Sequence, residues 1–363
     1  MFRDHAALAL PRALQYGKRS EHHDRSAGSS MTSILKGHST PPGAARPIRI
    51  AILDDYQRVA RRFADWSALP EGSEVSVFHD HLSDEAALAA RLAPFEAIVA
   101  MRERTPFPRS LLSRLPELRL LVTTGMRNAS IDLEAAAESR ILVSGTDGLP
   151  YPTAELTWGL ILALARQIAA EDRALRAGHW QTSLGVGLQG KTLGVLGLGR
   201  LGCQVARIGT AFGMDVIAWS PNLTAERAAA VGAVRVEREQ LFRRSDVLTL
   251  HLVLSERSAG LVGARELGWM KKSALFINTS RGPLVDEAAL IGALRTEAIA
   301  GAGLDVFDVE PLPPGHPLLG LPNTVLTPHL GYVTEETYRI FYGHALEDVQ
   351  AYLSGQPLRV LSR

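Results

Sequence analysis

Cysteine is almost absent from this chain. Cys203 is the only one in 363 residues, so no internal disulfide can form, and a reducing compartment such as the cytoplasm is the expected setting. Cys203 itself reads as a small packed side chain rather than a reactive thiol. Aromatic residues make up only 6%. Long apolar runs are missing too. None reaches the ~20 residues that cross a bilayer, so no membrane partner is expected. Excess charge is also lacking: the net charge is +1, too small for a general pull toward nucleic acid or lipid headgroups. No metal site is expected. What remains is 46% hydrophobic and 21% charged, the balance of a globular protein with ample core, at a length that suggests two domains.

The first 46 residues differ from the rest. They mix Arg, His, Ser, Gly and Pro, without a sustained amphipathic period, and read as a disordered N-terminal extension. A secretory signal would need a longer apolar core, and Asp4, Glu21 and Asp24 argue against a transit peptide. A start at Met31 is the alternative.

The informative stretch is Lys191 to Gly202, in which a short apolar run breaks into Gly197, Gly199 and Gly202 before a helical pattern. This is strand, glycine-rich turn, helix. Gly197 permits the turn, Gly199 lets backbone approach a pyrophosphate, and Gly202 lets the helix pack on the strand. The helix start offers free N–H groups to phosphate. The spacing therefore predicts dinucleotide binding.

Regular alternation of strands and helices surrounds this turn. Before it lie predicted strands 48–53, 74–78, 97–101, 118–123 and 141–143, with helices over 59–66, 83–92, 108–115 and from 130. Ser83 and Ser130 are the candidate N-caps. A helical stretch spans 153–177, bounded by Pro150 and Pro152. Strands 192–196, 215–219, 246–250, 274–278, 303–306 and 324–326 follow, then a last helix over 335–353. Near-continuous apolar strands in this order predict parallel sheets covered on both faces.

Three polar residues fall at or just past strand ends of the second sheet, where open α/β sheets bind ligands. Arg281 stands in Asn278-Thr279-Ser280-Arg281-Gly282, Glu310 follows Gly303–Val309, and His329 stands in Thr327-Pro328-His329-Leu330-Gly331. Singly each reads as a loop or surface residue. Together they supply what hydride transfer needs. An arginine grips a carboxylate and polarises a carbonyl, a histidine exchanges the alcohol proton, and a carboxylate orients the histidine and favours its protonated form.

Four segments, Gly197–Gly202, Asn278–Gly282 with Val285-Asp286-Glu287, Gly303–Pro311 and Thr327–Gly331, make the chain resemble the D-isomer-specific 2-hydroxyacid dehydrogenases, and within them the D-3-phosphoglycerate dehydrogenase type. The resemblance extends over roughly residues 48–355. It implies two doubly wound parallel-sheet domains with a cleft between them. The flavodoxin-like substrate domain would comprise 47–145 and the returning helix of 333–363; the Rossmann domain for NAD(P) would comprise 146–332. Arg281, Glu310 and His329 fall on the family's catalytic residues. Arg200 and Leu201 fall on its pyrophosphate contacts, and Asp305 on the residue that holds the nicotinamide amide, with Thr279 nearby. The resemblance further implies a homodimer built through the cofactor domains, and a small 2-oxo or 2-hydroxy acid as substrate.

Two departures bear on specificity. The strand over 215–219 ends in Ser220-Pro221-Asn222 rather than in the acidic residue usual for a ribose contact. NAD is the expected cofactor, NADP stays open, and Ser220 is the candidate contact. The substrate loop reads Gly125-Met126-Arg127-Asn128-Ala129, where the family has Gly-x-Asp. The Gly125 region can still receive a carboxylate through backbone N–H groups. Arg127 either binds a second anion on the substrate or pairs with Asp132. The rival reading of the whole chain is a non-catalytic NAD(H) sensor like the family's transcriptional-corepressor branch. The formate-oxidising branch carries Gln at the position of Glu310.

Overall fold

The computed structural model describes residues 46–361. The expectations for residues 1–45 lie outside the described residues. Two parallel sheets carry the fold. The first contains β1 (Arg49–Ile52), β2 (Glu74–Val77), β3 (Ala97–Ala100), β4 (Leu120–Thr123) and β5 (Leu142–Gly145), in the order β2-β1-β3-β4-β5. This is the flavodoxin-like order, with its reversal between β1 and β3. The second contains β6 (Thr192–Leu196), β7 (Asp215–Trp219), β8 (Val234–Arg235), β9 (Val247–Leu250), β10 (Leu275–Asn278), β11 (Gly301–Leu304) and β12 (Thr324–Leu326). Its order is β12-β11-β10-β9-β6-β7-β8, the Rossmann arrangement with reversal between β6 and β9.

Burial explains the strands. β3, β4, β9 and β11 are buried at every residue, as sheets covered on both faces require. Alternate side chains feed separate cores. Val195, Val216 and Val247 face one side of the second sheet, while Leu248, Leu250 and Phe276 face the other. In the first sheet Ile50, Ile52, Leu120 and Val122 meet Tyr338, Phe341, Tyr342 and Val349 of the helix Glu335–Leu353. That helix follows the last strand of the second sheet, so the chain crosses between the domains twice, once after β5 and once after β12. The end of the chain also pairs with β5: Gly145 N–H donates to the Arg359 carbonyl at 2.9 Å. No helix among the described residues is long and apolar enough to cross a membrane.

Several local expectations are corrected. The N-caps are Asp84 and Asp132, not Ser83 and Ser130; their carboxylates accept from the N–H groups of Ala87 and Ala135. A carboxylate one or two residues further on reaches those N–H groups and is the stronger acceptor at a helix start. The helical stretch over 153–177 is two helices, Pro152–Ala165 and Ile168–Arg176, broken at Gln167, whose φ is +53°. The helix expected over 59–66 is a single turn, Ala60–Phe63, followed by a 3-10 turn at Trp66–Ala68 capped by Asp65. β11 begins and ends two residues before the expected strand, and the short edge strand β8 is additional.

Candidate active site

The glycine turn follows β6. Gly197 has φ +105°, and a Cβ there would lie 2.6 Å from the carbonyl carbon and oxygen of His251. The turn is thus pressed against the end of β9. A Cβ on Gly202 would lie 2.1 Å from the Gly197 oxygen, so the helix Arg200–Ala211 starts in direct contact with the turn. Gly199 differs: nothing lies within 4 Å of its would-be Cβ. No side chain caps this helix. The N–H groups of Arg200, Leu201 and Gly202 are the first-turn donors, without a partner among the described residues, and open space lies at Gly199 beside them. Such donors and the dipole end of a helix suit an anion such as a pyrophosphate. Ser220, at the end of β7, accepts from the Leu198 N–H through Oγ at 2.9 Å. Its hydroxyl oxygen therefore stitches β7 to the turn. Cys203 packs on the core behind it.

Three strand ends converge beside this turn. After β10, Asn278 folds the chain back: its Oδ1 accepts from Ser280 N–H at 3.0 Å and its Nδ2 donates to the Arg281 carbonyl at 2.9 Å. Arg281 Nη1 donates to the Ser280 carbonyl at 2.7 Å. After β11, Glu310 Oε1 accepts from Phe307 N–H at 3.0 Å and Oε2 meets His329 Nδ1 at 2.6 Å. Burial alone would raise the Glu310 carboxyl, but the His329 hydrogen bond and charge, with help from the Phe307 N–H and Arg281, hold it below its ordinary value. It is a carboxylate at neutral pH. His329, after β12, has φ +54°, an uncommon conformation for a residue with a Cβ.

Asp305 holds that conformation. Its Oδ1 accepts from Thr327 Oγ1 at 2.6 Å and from Leu330 N–H at 2.7 Å, and its Oδ2 accepts from Gly331 N–H at 2.9 Å. The buried carboxylate clamps both sides of His329. The ring's Nδ1 is held by Glu310, leaving Nε2 without a partner among the described residues. Tyr332 stacks edge-on against it, with ring centroids 5.5 Å apart. Thr279 is turned to the helix Pro152–Ala165, where its hydroxyl bonds Thr157 Oγ1 at 2.8 Å.

The opposite wall of the cleft comes from the five-stranded domain and was missed in the sequence. Arg102, Glu103 and Arg104 follow β3 and line the cleft with Arg281, Glu310 and His329. Glu103 Oε1 accepts from Arg281 Nη2 at 3.0 Å across the cleft. Arg102 Nη1 donates to the Thr124 carbonyl at 3.1 Å, lying over Gly125, where a Cβ would sit 1.8 Å from it. Arg104 Nη1 donates to the Asp54 carbonyl at 2.9 Å and its guanidinium lies 5.5 Å from the Tyr332 ring. The available signal was position: three charged residues directly after a buried strand, at the ligand-binding edge of a sheet.

The substrate loop needs two corrections. The Gly125 N–H is not free, because it donates to Thr146 Oγ1 at 2.8 Å; the N–H groups of Met126 and Arg127 have no partner among the described residues. The Arg127–Asp132 pair does not form. Asp132 caps its helix and its other oxygen lies 3.9 Å from Arg109 Nε, while Arg127 is exposed and unpaired among the described residues.

Comparison with known proteins agrees with this geometry. Residues 158–331 match the model of the D-isomer specific 2-hydroxyacid dehydrogenase, NAD binding domain. A glyoxylate reductase of Aeropyrum pernix is 43% identical over 256 residues, covering 68% of this chain and 76% of that protein. A D-3-phosphoglycerate dehydrogenase of Methanocaldococcus jannaschii is 38% identical; the match covers 71% of this chain but only 50% of that longer protein. Among solved structures, a phosphoglycerate oxidoreductase from Vibrio cholerae superposes with a TM-score of 0.81 at 40% identity, over 85% of this chain and 99% of that one. With its two sheet orders, the glycine turn after β6 and these relatives, the chain belongs to the D-isomer specific 2-hydroxyacid dehydrogenase family.

Proposed function

We propose that this enzyme reduces a small 2-oxo acid to the D-2-hydroxy acid, and runs the reverse oxidation, with Arg281, Glu310 and His329 as its catalytic residues. The observation that carries the proposal is the 2.6 Å contact of His329 Nδ1 with Glu310 Oε2 in the same cleft as Arg281, past strands of the sheet whose β6 leads into the glycine turn. NAD(H), when bound, supplies or accepts the hydride at its nicotinamide ring. Gly197, Gly199, Arg200, Leu201 and Gly202 hold its pyrophosphate, and Ser220 lies at the ribose end. The roles of Asp305 and Thr279 toward the nicotinamide belong to this reading; Asp305 also keeps His329 in place.

Arg281 receives the substrate carboxylate, assisted by the free N–H groups of Met126 and Arg127. Its charge polarises the neighbouring carbonyl. Glu310 fixes the imidazole through Nδ1, so Nε2 is the nitrogen that faces the carbonyl oxygen. In reduction Nε2 gives that oxygen a proton; in oxidation it takes the hydroxyl proton back.

A panel of glyoxylate, hydroxypyruvate, pyruvate and phosphohydroxypyruvate with NADH, followed by absorbance, tests the proposal. Consumption with at least one acid is expected. Binding of NADH without turnover on the whole panel would favour the NAD(H)-sensing alternative.

Two finer parts of the proposal have their own tests. Ser220→Asp places a carboxylate where a ribose 2′-hydroxyl can donate and a 2′-phosphate is repelled. The ratio of kcat/KM for NADH over NADPH is expected to rise by about tenfold or more, the scale of a charged hydrogen bond; an unmoved ratio would remove the end of β7 from coenzyme choice. The second part is a cytoplasmic homodimer joined through the NAD-binding domains. After the helix Pro152–Ala165 the chain exposes Trp180 at 76% and Leu184 at 94%, along with Ile168, Leu175 and Val186. Apolar exposure on this scale marks an interface. The double variant Trp180→Asp, Leu184→Asp is expected to halve the mass seen in sedimentation, with the far-UV spectrum retained. A wild-type mass of one chain would end the dimer proposal.

A further inference from the structure

A site that binds anions carries a carboxylate on the wall facing its arginine. Glu103 Oε1 accepts from Arg281 Nη2 at 3.0 Å, and Arg281 Nη1 donates to the Ser280 carbonyl. A guanidinium has five N–H groups, so three remain for an incoming carboxylate and Glu103 can stay in place when one arrives. Its other oxygen, Oε2, is buried and accepts no hydrogen bond among the described residues. Arg102 Nε lies 3.7 Å from it, too far for a hydrogen bond. A buried carboxylate oxygen left without a donor is unfavourable, and the residue that carries it lines the cleft opposite Arg281.

The charge and position of Glu103 are both set. Burial would raise its carboxyl, but Arg102 and Arg281 outweigh that and hold it below its ordinary value. Its neighbours are pinned: Arg102 to the Thr124 carbonyl, and Thr105 Oγ1 to Asp54 Oδ2 at 2.7 Å. Arg281 and His329 belong to the NAD-binding domain and engage the carboxylate and carbonyl of a 2-oxo acid.

We propose that the third substituent on the oxo carbon packs against the wall that bears Glu103 and that Glu103 selects the substrate: its carboxylate takes a hydrogen bond from a hydroxyl or ammonium group on the carbon next to the oxo carbon, and its negative charge turns away a second anion there. This rests on the 2-oxo acid reading above. A hydrogen bond to an ionised group corresponds to about a ten- to hundredfold preference.

The test measures kcat/KM with NADH for hydroxypyruvate, pyruvate and phosphohydroxypyruvate in wild type, Glu103→Gln and Glu103→Ala. Far-UV spectra and NADH binding serve as controls on folding. Wild type is expected to prefer hydroxypyruvate over pyruvate by about ten- to hundredfold and to disfavour the phosphorylated acid. In Glu103→Ala the hydroxypyruvate to pyruvate ratio falls toward one, chiefly through KM. Glu103→Gln keeps an acceptor of nearly the same shape, so it retains part of that ratio while the penalty on the phosphorylated acid falls. The same ranking in wild type and both variants overturns the proposal. So does an equal gain for all three acids in Glu103→Ala, which would make Glu103 only a competitor for Arg281. Wild type that consumes NADH with none of the three overturns the 2-oxo acid reading itself; turnover with an unmoved ranking overturns Glu103 alone.

Discussion

His329→Gln is expected to lower 2-oxo acid reduction by about 10²–10⁴-fold at every pH, the usual contribution of a positioned acid–base group. NADH binding should survive, because the glycine turn is built from other residues. The Glu310 partner behaves differently. Its carboxyl is held in the ionised form and fixes the ring through Nδ1 at 2.6 Å. Glu310→Gln keeps the shape but replaces a charged hydrogen bond with a neutral one, so the ring is held less firmly. The rate of reduction is expected to fall by about tenfold, less than in His329→Gln, with NADH binding unchanged. Single-turnover measurements of kcat would check this with the chemical step isolated. A Glu310→Gln rate equal to wild type under those conditions would take Glu310 out of the mechanism.

Gly202→Ala should abolish measurable NADH binding and lower the melting temperature together. The added Cβ would meet the Gly197 oxygen at 2.1 Å. That neighbour is backbone in a turn already pressed on His251, so it cannot rotate away; overpacking of this kind typically costs about 1–3 kcal/mol. Gly199→Ala is the contrasting case. No atom lies within 4 Å of its Cβ position and its φ of −86° suits any residue. Folding is therefore unaffected, but the methyl group projects into the space a pyrophosphate must enter. NADH Kd rises while Tm stays. Fluorescence titration and a thermal melt on both variants separate the two effects. A Gly199→Ala protein that binds NADH as well as wild type would mean the cofactor does not approach the turn at that point.

The parts of the fold read most directly from sequence are those governed by local chemistry. The spacing of Gly197, Gly199 and Gly202 needs only a turn and a helix start. The last helix, Glu335–Leu353, has its expected bounds because Thr334 caps it and a broad apolar face continues to Leu353. Arg281, Glu310 and His329 come together because each lies at or just past the end of a strand in one parallel sheet, and the sheet order does the rest. The caps at Asp84 and Asp132 were missed because neighbouring serines are competent in isolation, and only the path of the chain decides which oxygen reaches. The break at Gln167 lacks a Gly or Pro to announce it. Glu103 could not be read as part of a site at all. Its partner, Arg281, is 178 positions away and in the other domain, and in sequence Arg102-Glu103-Arg104 looks like a solvated charge cluster.

The twofold crossing between the domains has a mechanical consequence. One connection runs from β5 to the helix at Pro152; the other runs from β12 to the helix at Glu335 and carries His329. A single linker would let one domain swivel freely. Two strands side by side form a hinge that bends about the line joining them and resists twist. Any opening of the cleft would be confined to one path, which keeps the register of Glu103 against Arg281. His329 lies in one of the two crossings. A single nick in either crossing would leave both domains folded yet free to rotate, and turnover should suffer more than stability.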